Sequence, residues 1–159
     1  MVTREDVKNA MEYRWRGSQW KLYIVVWAVI SVVSPAIGLV NGSAPEDLVG
    51  TAGILAAMYF AFLMPFAGYA LWRQWEMLRR CEHYQRYQVK LCNPVTSWVY
   101  KGAVGYRVVF RTEDGETVVR ETKPLFSSRA LATFQLEDYN NKTVDIFYDS
   151  EKDRVILAG

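Results

Sequence analysis

Two long stretches without a charged residue constrain this chain of 159 residues more than any other feature. The first stretch has 19 residues, 22–40, and the second has 25 residues, 48–72. A helix needs about 20 apolar residues to cross the ~30 Å hydrocarbon core of a bilayer. Neither stretch carries the polar stripe of a long surface helix, and the chain is too short to enclose two such helices in protein. We therefore predict two transmembrane helices.

The average composition hides these stretches, because the mean hydropathy is only −0.06 and the formal net charge is +2. Aromatic residues make up 14% of the chain, which argues against intrinsic disorder. Two cysteines and one histidine are too few for a disulfide-rich scaffold or for most metal clusters. The composition therefore predicts a folded chain with no cofactor.

The segment between the two stretches, residues 41–47, is too short for anything but a turn, so the helices should form an antiparallel hairpin. Amphipathic aromatic rings favour the level of the lipid headgroups. Four tryptophans lie beside the ends of the stretches, and we expect them at the interface between lipid and water: Trp15, Trp20, Trp72 and Trp75.

The distribution of lysine and arginine predicts the orientation of the hairpin. Residues 1–21 hold five of these side chains, residues 41–47 hold none, and residues 73–90 hold five. Positively charged flanks stay in the cytoplasm, so both termini are expected there. The basic side chains expected to fix this topology or to meet lipid headgroups are Arg14, Arg16, Lys21, Arg73, Arg79 and Arg80.

Two sequence features offer other interpretations, a signal peptide in the first stretch and a glycosylation motif after it. The first stretch is longer than the ~7–15-residue core of a signal peptide, so an uncleaved span is expected. Asn41-Gly42-Ser43 matches a glycosylation acceptor, but its closeness to the membrane favours a role as a turn.

Small residues recur at intervals of four in the second stretch, at Gly53, Ala57 and Ala61. Such spacing lets helix backbones approach closely, so this stripe could seat the first helix, a second copy or a partner's helix. Pro35 and Pro65 should kink their helices. Neither stretch contains an ionisable side chain of the kind that marks an ion path, which argues against a transporter.

Residues 3–16 have helical periodicity, with a capping pair at Thr3 and Asp6 and a stop at Gly17. The segment fits either a helix lying on anionic headgroups or a plain cytosolic extension. Its apolar stripe consists of Val7, Met11 and Trp15.

Residues 73–87 should continue the second helix out of the membrane as a linker. The segment contains Cys81 and His83, with Cys92 following, but three scattered ligands make a weak metal site. Its basic residues alternate with Glu76 and Glu82, so lipid explains them better than nucleic acid does.

The periodicity changes to that of β-strands in residues 88–159. Residues 105–111 alternate and lead through Asp114-Gly115 into residues 116–122, which predicts a β-hairpin. Residues 143–148 and 154–157 predict a second hairpin, and residues 88–92 a first strand. Residues 124–138 are ambiguous. The chain should thus be an α+β membrane protein: a transmembrane helical hairpin followed by about five antiparallel strands in a curled sheet or partly open barrel.

These motifs resemble an uncharacterised class of short bacterial membrane proteins with transmembrane helices and a small cytosolic β domain. The class has a strand–acidic-Gly–strand hairpin, matched here by residues 106–111 and Asp114-Gly115. It ends in a strand of the type Val-x-Val-x-Tyr-Asp, matched by residues 144–149. Ser150 and Asp153 stand where the class has prolines. The resemblance covers less than half of the chain and implies a fold more than an activity. It also implies a place in a bacterial inner (cytoplasmic) membrane.

The residues that enzymes use are scarce here. One histidine leaves nucleophile pairs without a positioned base, and no phosphate loop or zinc motif occurs. Most carboxylates of the β domain fall in turns and are interpreted as solvated: Glu113, Asp114, Glu137, Asp138, Asp149, Glu151 and Asp153.

We therefore expect a non-enzymatic membrane protein that presents its β domain to a protein partner, as an accessory or scaffold subunit. The alternative is a homo-oligomeric membrane organiser or small pore that interacts with anionic lipid. An enzyme of unknown type is a second alternative. The expected partners are membrane lipid and a protein or a second copy, and no nucleic acid.

Overall fold

A computed structural model describes residues 2–41, 45–96, 103–122, 125–126 and 141–158. The chain divides into two compact units. The β unit comprises Met1–Arg16 and Gln74–Gly159, and the helical unit comprises Gly17–Arg73. Gly42 and Ser43 of the segment interpreted as a turn, and nearly all of residues 124–138, lie outside the described residues.

Two long helices provide the helical unit, α2 (Met11–Val40) and α3 (Pro45–Arg79). The Nε1 of Trp27 donates a hydrogen bond of 3.0 Å to the Ala56 carbonyl. The rings of Tyr23 and Phe66 lie 6.1 Å apart, so positions early in α2 meet positions late in α3. This antiparallel pairing agrees with the expected hairpin, and both helices are long and apolar enough to span a membrane. Each helix continues through its proline.

The N-terminal segment differs from the single helix expected for residues 3–16. Helix α1 (Arg4–Asn9) begins with the expected capping box, in which Thr3 and Asp6 bond each other's backbone. Ala10 is extended, and α2 begins immediately after it. The expected stop at Gly17 is wrong, because α2 continues through it. One glycine lowers the stability of a helix by only about 1 kcal/mol, which the other residues of a long helix offset.

Helix α3 ends at Arg79, and a short 3₁₀ turn (Cys81–His83) leads into strand β1 (Tyr84–Lys90). The prediction that the helix extends to residue 87 is therefore wrong. Strand β1 pairs along its entire length with the strand Thr143–Asp149, from Tyr84 opposite Asp149 to Lys90 opposite Thr143. This distant pairing outweighs the helical pattern of residues 84–87.

The remaining strands are β2 (Cys92–Thr96), β3 (Ala103–Arg111), β4 (Thr117–Glu121), β5 (Leu125–Phe126), β6 (Thr143–Asp149) and β7 (Arg154–Leu157). They form two antiparallel sheets, one ordered β1-β6-β7 and one ordered β2-β3-β4 with β5 also paired to β3. Both expected hairpins, β3–β4 and β6–β7, are confirmed. Gly115 turns the first of them with a φ of +83°, a value that favours glycine.

The described residues contain seven strands rather than about five. Strand β2 was missed because it contains Pro94, which lacks an amide donor and argues against a strand. The structure places Pro94 beside a shift in register between Cys92 and Pro94, an irregularity that accommodates it.

Side chains from both sheets meet in one core that includes Val89, Tyr106, Val108 and Ile146. Met11 and Trp15 of the N-terminal segment belong to this core as well. A second cluster joins the N-terminal segment and the end of α3 to β6 and β7, through Val7, Ala10, Met77, Cys81, Phe147 and Ile156. The N-terminal segment is thus part of the β unit, an arrangement that neither sequence interpretation anticipated.

Candidate functional site

A buried carboxylate with several polar partners in the β unit is Asp149, at the end of β6. Its side chain is 2% exposed and accepts two hydrogen bonds from Arg80, 2.6 Å from Nε and 3.0 Å from Nη2. The backbone N–H groups of Glu151 and Lys152 donate to the same carboxylate. Asp149 therefore joins the residue after α3 to the β6–β7 turn, and its interpretation as a solvated turn residue is wrong.

Charge and hydrogen bonding set the ionisation of this group. Burial raises the pKa of the Asp149 carboxyl, but the bonds from Arg80 and from the two amides outweigh burial, so the pKa lies below its usual value. The hydrogen bonds from Arg80 to Asp149, and then to Glu151, hold the pKa of Arg80 above its usual value. Both groups remain charged at neutral pH.

A second polar contact joins the two sheets beside strand β4. Arg120 of β4 lies 2.6 Å from Asp153 in the β6–β7 turn, and the Tyr148 hydroxyl donates to the same carboxylate at 2.9 Å. These hydrogen bonds, from Arg120 first, hold the pKa of Asp153 below its usual value. Burial, and then the bond to Asp153, raises the pKa of Tyr148.

The outer edge of β4 is the unpaired edge nearest to this contact. The hydrogen bonds from Thr112 to Glu116 and from Thr122 to Tyr106 fix which residues face β3. Antiparallel alternation then directs the backbone groups of Thr117, Val119 and Glu121 away from β3. No described strand pairs with this edge.

Arg120 shields part of this edge, because its Nη1 donates to the Val119 carbonyl at 2.7 Å. The outward face beside the edge carries a directly opposed pair, Val109 and Val119, which are 56% and 46% exposed. Alternation of residues 105–111 predicted that Val109 faces outward, but no local signal identifies the edge strand, since strand order depends on pairing between distant segments.

The six basic residues expected at lipid headgroups fall into two groups. Arg16, Arg73 and Arg80 are partly or fully buried in the protein. Arg16 lies over the Trp15 ring and 3.9 Å from Glu12, and Arg80 binds Asp149. The side chains exposed on the surface are Arg14, Lys21 and Arg79.

The four expected interfacial tryptophans also differ in their surroundings. Trp72 and Trp75 are about half exposed, and Trp20 is partly buried beneath Lys21. Trp15 is only 7% exposed and packs into the core of the β unit. The structure thus places Trp15 among protein side chains instead of at a lipid surface, because Trp15 and Met11 pack in one cluster with residues of both sheets.

The small-residue stripe does not face α2. A Cβ added at Gly53 would meet no atom within 4 Å, and Ala57 and Ala61 are also exposed. Ala56 on the neighbouring face meets Trp27 instead. Of the three packing arrangements considered, contact with a second copy or with a partner's helix remains a prediction.

The candidate metal ligands differ in their exposure and in their neighbours. Cys81 is buried in the second cluster, Cys92 is partly exposed, and both are free thiols. His83 lies 3.7 Å from Glu151. Within the described ranges, no three histidine, cysteine or acidic side chains are grouped as a metal would require.

Comparisons with protein-family models, with curated proteins and with solved structures found no match to this chain.

Proposed function

We propose that this chain is an integral membrane protein whose two apolar helices anchor a cytosolic β unit that binds a protein partner. The exposed apolar surface of α2 and α3 carries the proposal. Val32, Val49 and Phe62 are 69%, 76% and 66% exposed, and many neighbours are comparable. Exposing apolar surface to water costs about 25 cal/mol of free energy per Å², and contact with lipid removes this cost.

The β unit contains segments from both ends of the chain, which supports placing both termini on one side of the membrane. Residues 2–16 precede both charge-free stretches and residues 74–158 follow them, yet they share one core. Both segments must therefore lie on the same side of a membrane that α2 and α3 cross. The ten basic residues in the flanks favour the cytosolic side.

Extraction and cysteine labelling test the anchor and its orientation. We expect alkaline carbonate to leave the chain in the membrane pellet. In a background with Cys81→Ala and Cys92→Ala, an impermeant maleimide should label Asn41→Cys on intact cells but label Lys152→Cys only after permeabilisation. Both positions are exposed, so accessibility within the protein does not limit labelling. Release by carbonate would refute the anchor, and labelling of Lys152→Cys on intact cells would refute the orientation.

The proposed partner contact is strand addition to the outer edge of β4. The outward N–H groups of Thr117, Val119 and Glu121 are donors that an extended peptide can use. The exposed Val109–Val119 pair beside them offers an apolar contact for a side chain of the added strand.

A proline at the start of β4 tests this contact without breaking the β3–β4 ladder. Thr117 is the first residue of β4 and its N–H points outward, a position where proline is tolerated in strands. We expect Thr117→Pro to lower crosslinking of a native membrane partner to a photoreactive residue at Val109 by about threefold to tenfold. Thr117→Val keeps the N–H and is the matched control. Equal crosslinking in both variants would contradict strand addition.

A further inference from the structure

A groove of about 370 Å³ opens in the β unit between α1 and the last turns of α3. Five residues line it: Arg4, Lys8, Trp75, Leu78 and Arg79. Arg4 and Lys8 are one helical turn apart on α1, and the other three are spaced so that they share one face of α3. Among the residues that the structure describes, the lining thus combines three cations with two apolar side chains and includes no acidic one.

The cations of this groove differ from most other arginines of the β unit. Arg80, Arg86, Arg120 and Arg154 each lie within 3.2 Å of a carboxylate oxygen. In the part of the chain that the structure describes, Arg4 and Arg79 have no such partner. Lys8 lies 3.4 Å from Glu5, but both side chains are at least half exposed, so this ion pair is weak.

Helix geometry directs Arg79 towards the apolar part of α3. The Cα–Cβ bonds of a helix tilt towards its N-terminus, and the Arg79 guanidinium accordingly lies 5.2 Å from the centre of the Trp75 ring, one turn back. Trp75 and Arg79 follow the last residue of the charge-free stretch, Trp72, by about 4.5 and 10.5 Å along the axis. The headgroup layer of a bilayer is about 5 to 7.5 Å thick on each side.

We propose that this groove binds the phosphate of an anionic phospholipid headgroup, with Arg4, Lys8 and Arg79 around the phosphate and Trp75 beside the glycerol backbone. Clustered cations beside the end of a membrane helix provide the charge that such a headgroup requires. Trp75 provides an amphipathic ring at the depth where tryptophan is favoured. The inference rests on the proposed membrane anchor, because only an inserted α3 brings lipid phosphate to the groove.

Lipid binding to the full chain in a neutral detergent tests the site. Dihexanoyl phosphatidylglycerol is titrated against the wild type, Arg4→Gln/Arg79→Gln and Lys142→Gln/Lys152→Gln, and bound lipid is counted by native mass spectrometry. The control removes two positive charges from exposed positions of the β unit that lie outside the groove and outside the flanks. We expect the groove variant to bind about 10- to 30-fold more weakly and the control to change less than threefold. Arg79→Lys in the Arg4→Gln background should restore part of the loss.

Other ligands separate the possible sources of phosphate. Dihexanoyl phosphatidylcholine should bind weakly, and inorganic phosphate should not compete at equal concentration. Equal losses in the two double variants would mean diffuse attraction and overturn the site. Full competition by inorganic phosphate would overturn a lipid ligand in favour of a soluble one. Carbonate extraction is scored separately: a chain that stays in the membrane without headgroup preference refutes only the groove, whereas an extracted chain refutes the anchor.

Discussion

Asp149→Ala is expected to lower the free energy of unfolding of the β unit by about 3 to 5 kcal/mol, the usual effect of removing one member of a buried ion pair. The substitution leaves Arg80, which is only 18% exposed, with the exposed Glu151 as its remaining carboxylate. It also removes the acceptor of two turn amides. Guanidinium unfolding of the full chain in detergent, followed by near-ultraviolet circular dichroism, measures the loss.

Two further variants separate the effect of the Asp149 charge from that of its shape. Glu151→Gln should cost less than about 1 kcal/mol, because Glu151 is 61% exposed and its pairing is screened by water. Asp149→Asn keeps the shape and removes the charge, so its loss should fall between those of the other two. A loss for Asp149→Ala no greater than that for Glu151→Gln would show that Asp149 does not hold the turn to α3.

Acid should remove the same stabilisation. The folded-state pKa of Asp149 lies below its ordinary value of 3.8, so the unfolded chain takes up a proton first as the pH falls. The stabilisation is complete above about pH 5 and is lost as the pH drops through 3.8 and below. The difference in stability between wild type and Asp149→Asn should therefore be constant near neutrality and narrow below pH 4. A difference that widened in acid would contradict this assignment.

Local patterns predicted those parts of the fold that neighbouring residues determine. Alternation in residues 105–111, with Asp114-Gly115 behind it, specifies the β3–β4 hairpin because both strands and their turn lie within one short segment. The charge-free stretches likewise predict two long helices, since length and apolarity alone suffice.

Contacts between distant residues account for what the sequence did not predict. The helical pattern of residues 84–87 gives way to β1 because β6, about 60 residues later, pairs with it. Asp149 has the local sequence of a solvated turn residue, and its pairing is with Arg80, 69 residues earlier in the chain. The groove forms only where α1 lies beside the end of α3. Local sequence patterns do not indicate that these two distant segments are neighbours.

Trp15→Ala should destabilise the β unit by about 3 to 5 kcal/mol, as truncation of a large buried aromatic side chain usually does. Trp15 is 7% exposed and lies in one cluster with core residues from both sheets, among them Val89, Val108 and Tyr148. A tryptophan that merely rested among headgroups would leave the unfolding of the β unit nearly unchanged.

Trp75→Ala is the matched control for Trp15, because it removes the same side chain from a position that is 55% exposed. It should cost less than about 1 kcal/mol in unfolding, as exposed substitutions usually do, although Trp75 lines the groove. Guanidinium unfolding of both variants in detergent makes the comparison. Similar losses in the two would remove Trp15 from the core, whereas a large loss confined to Trp15→Ala would establish that residues ahead of the first charge-free stretch complete a β unit formed mostly by residues after the second. A chain built in this way cannot complete its β unit until both charge-free stretches have been synthesised.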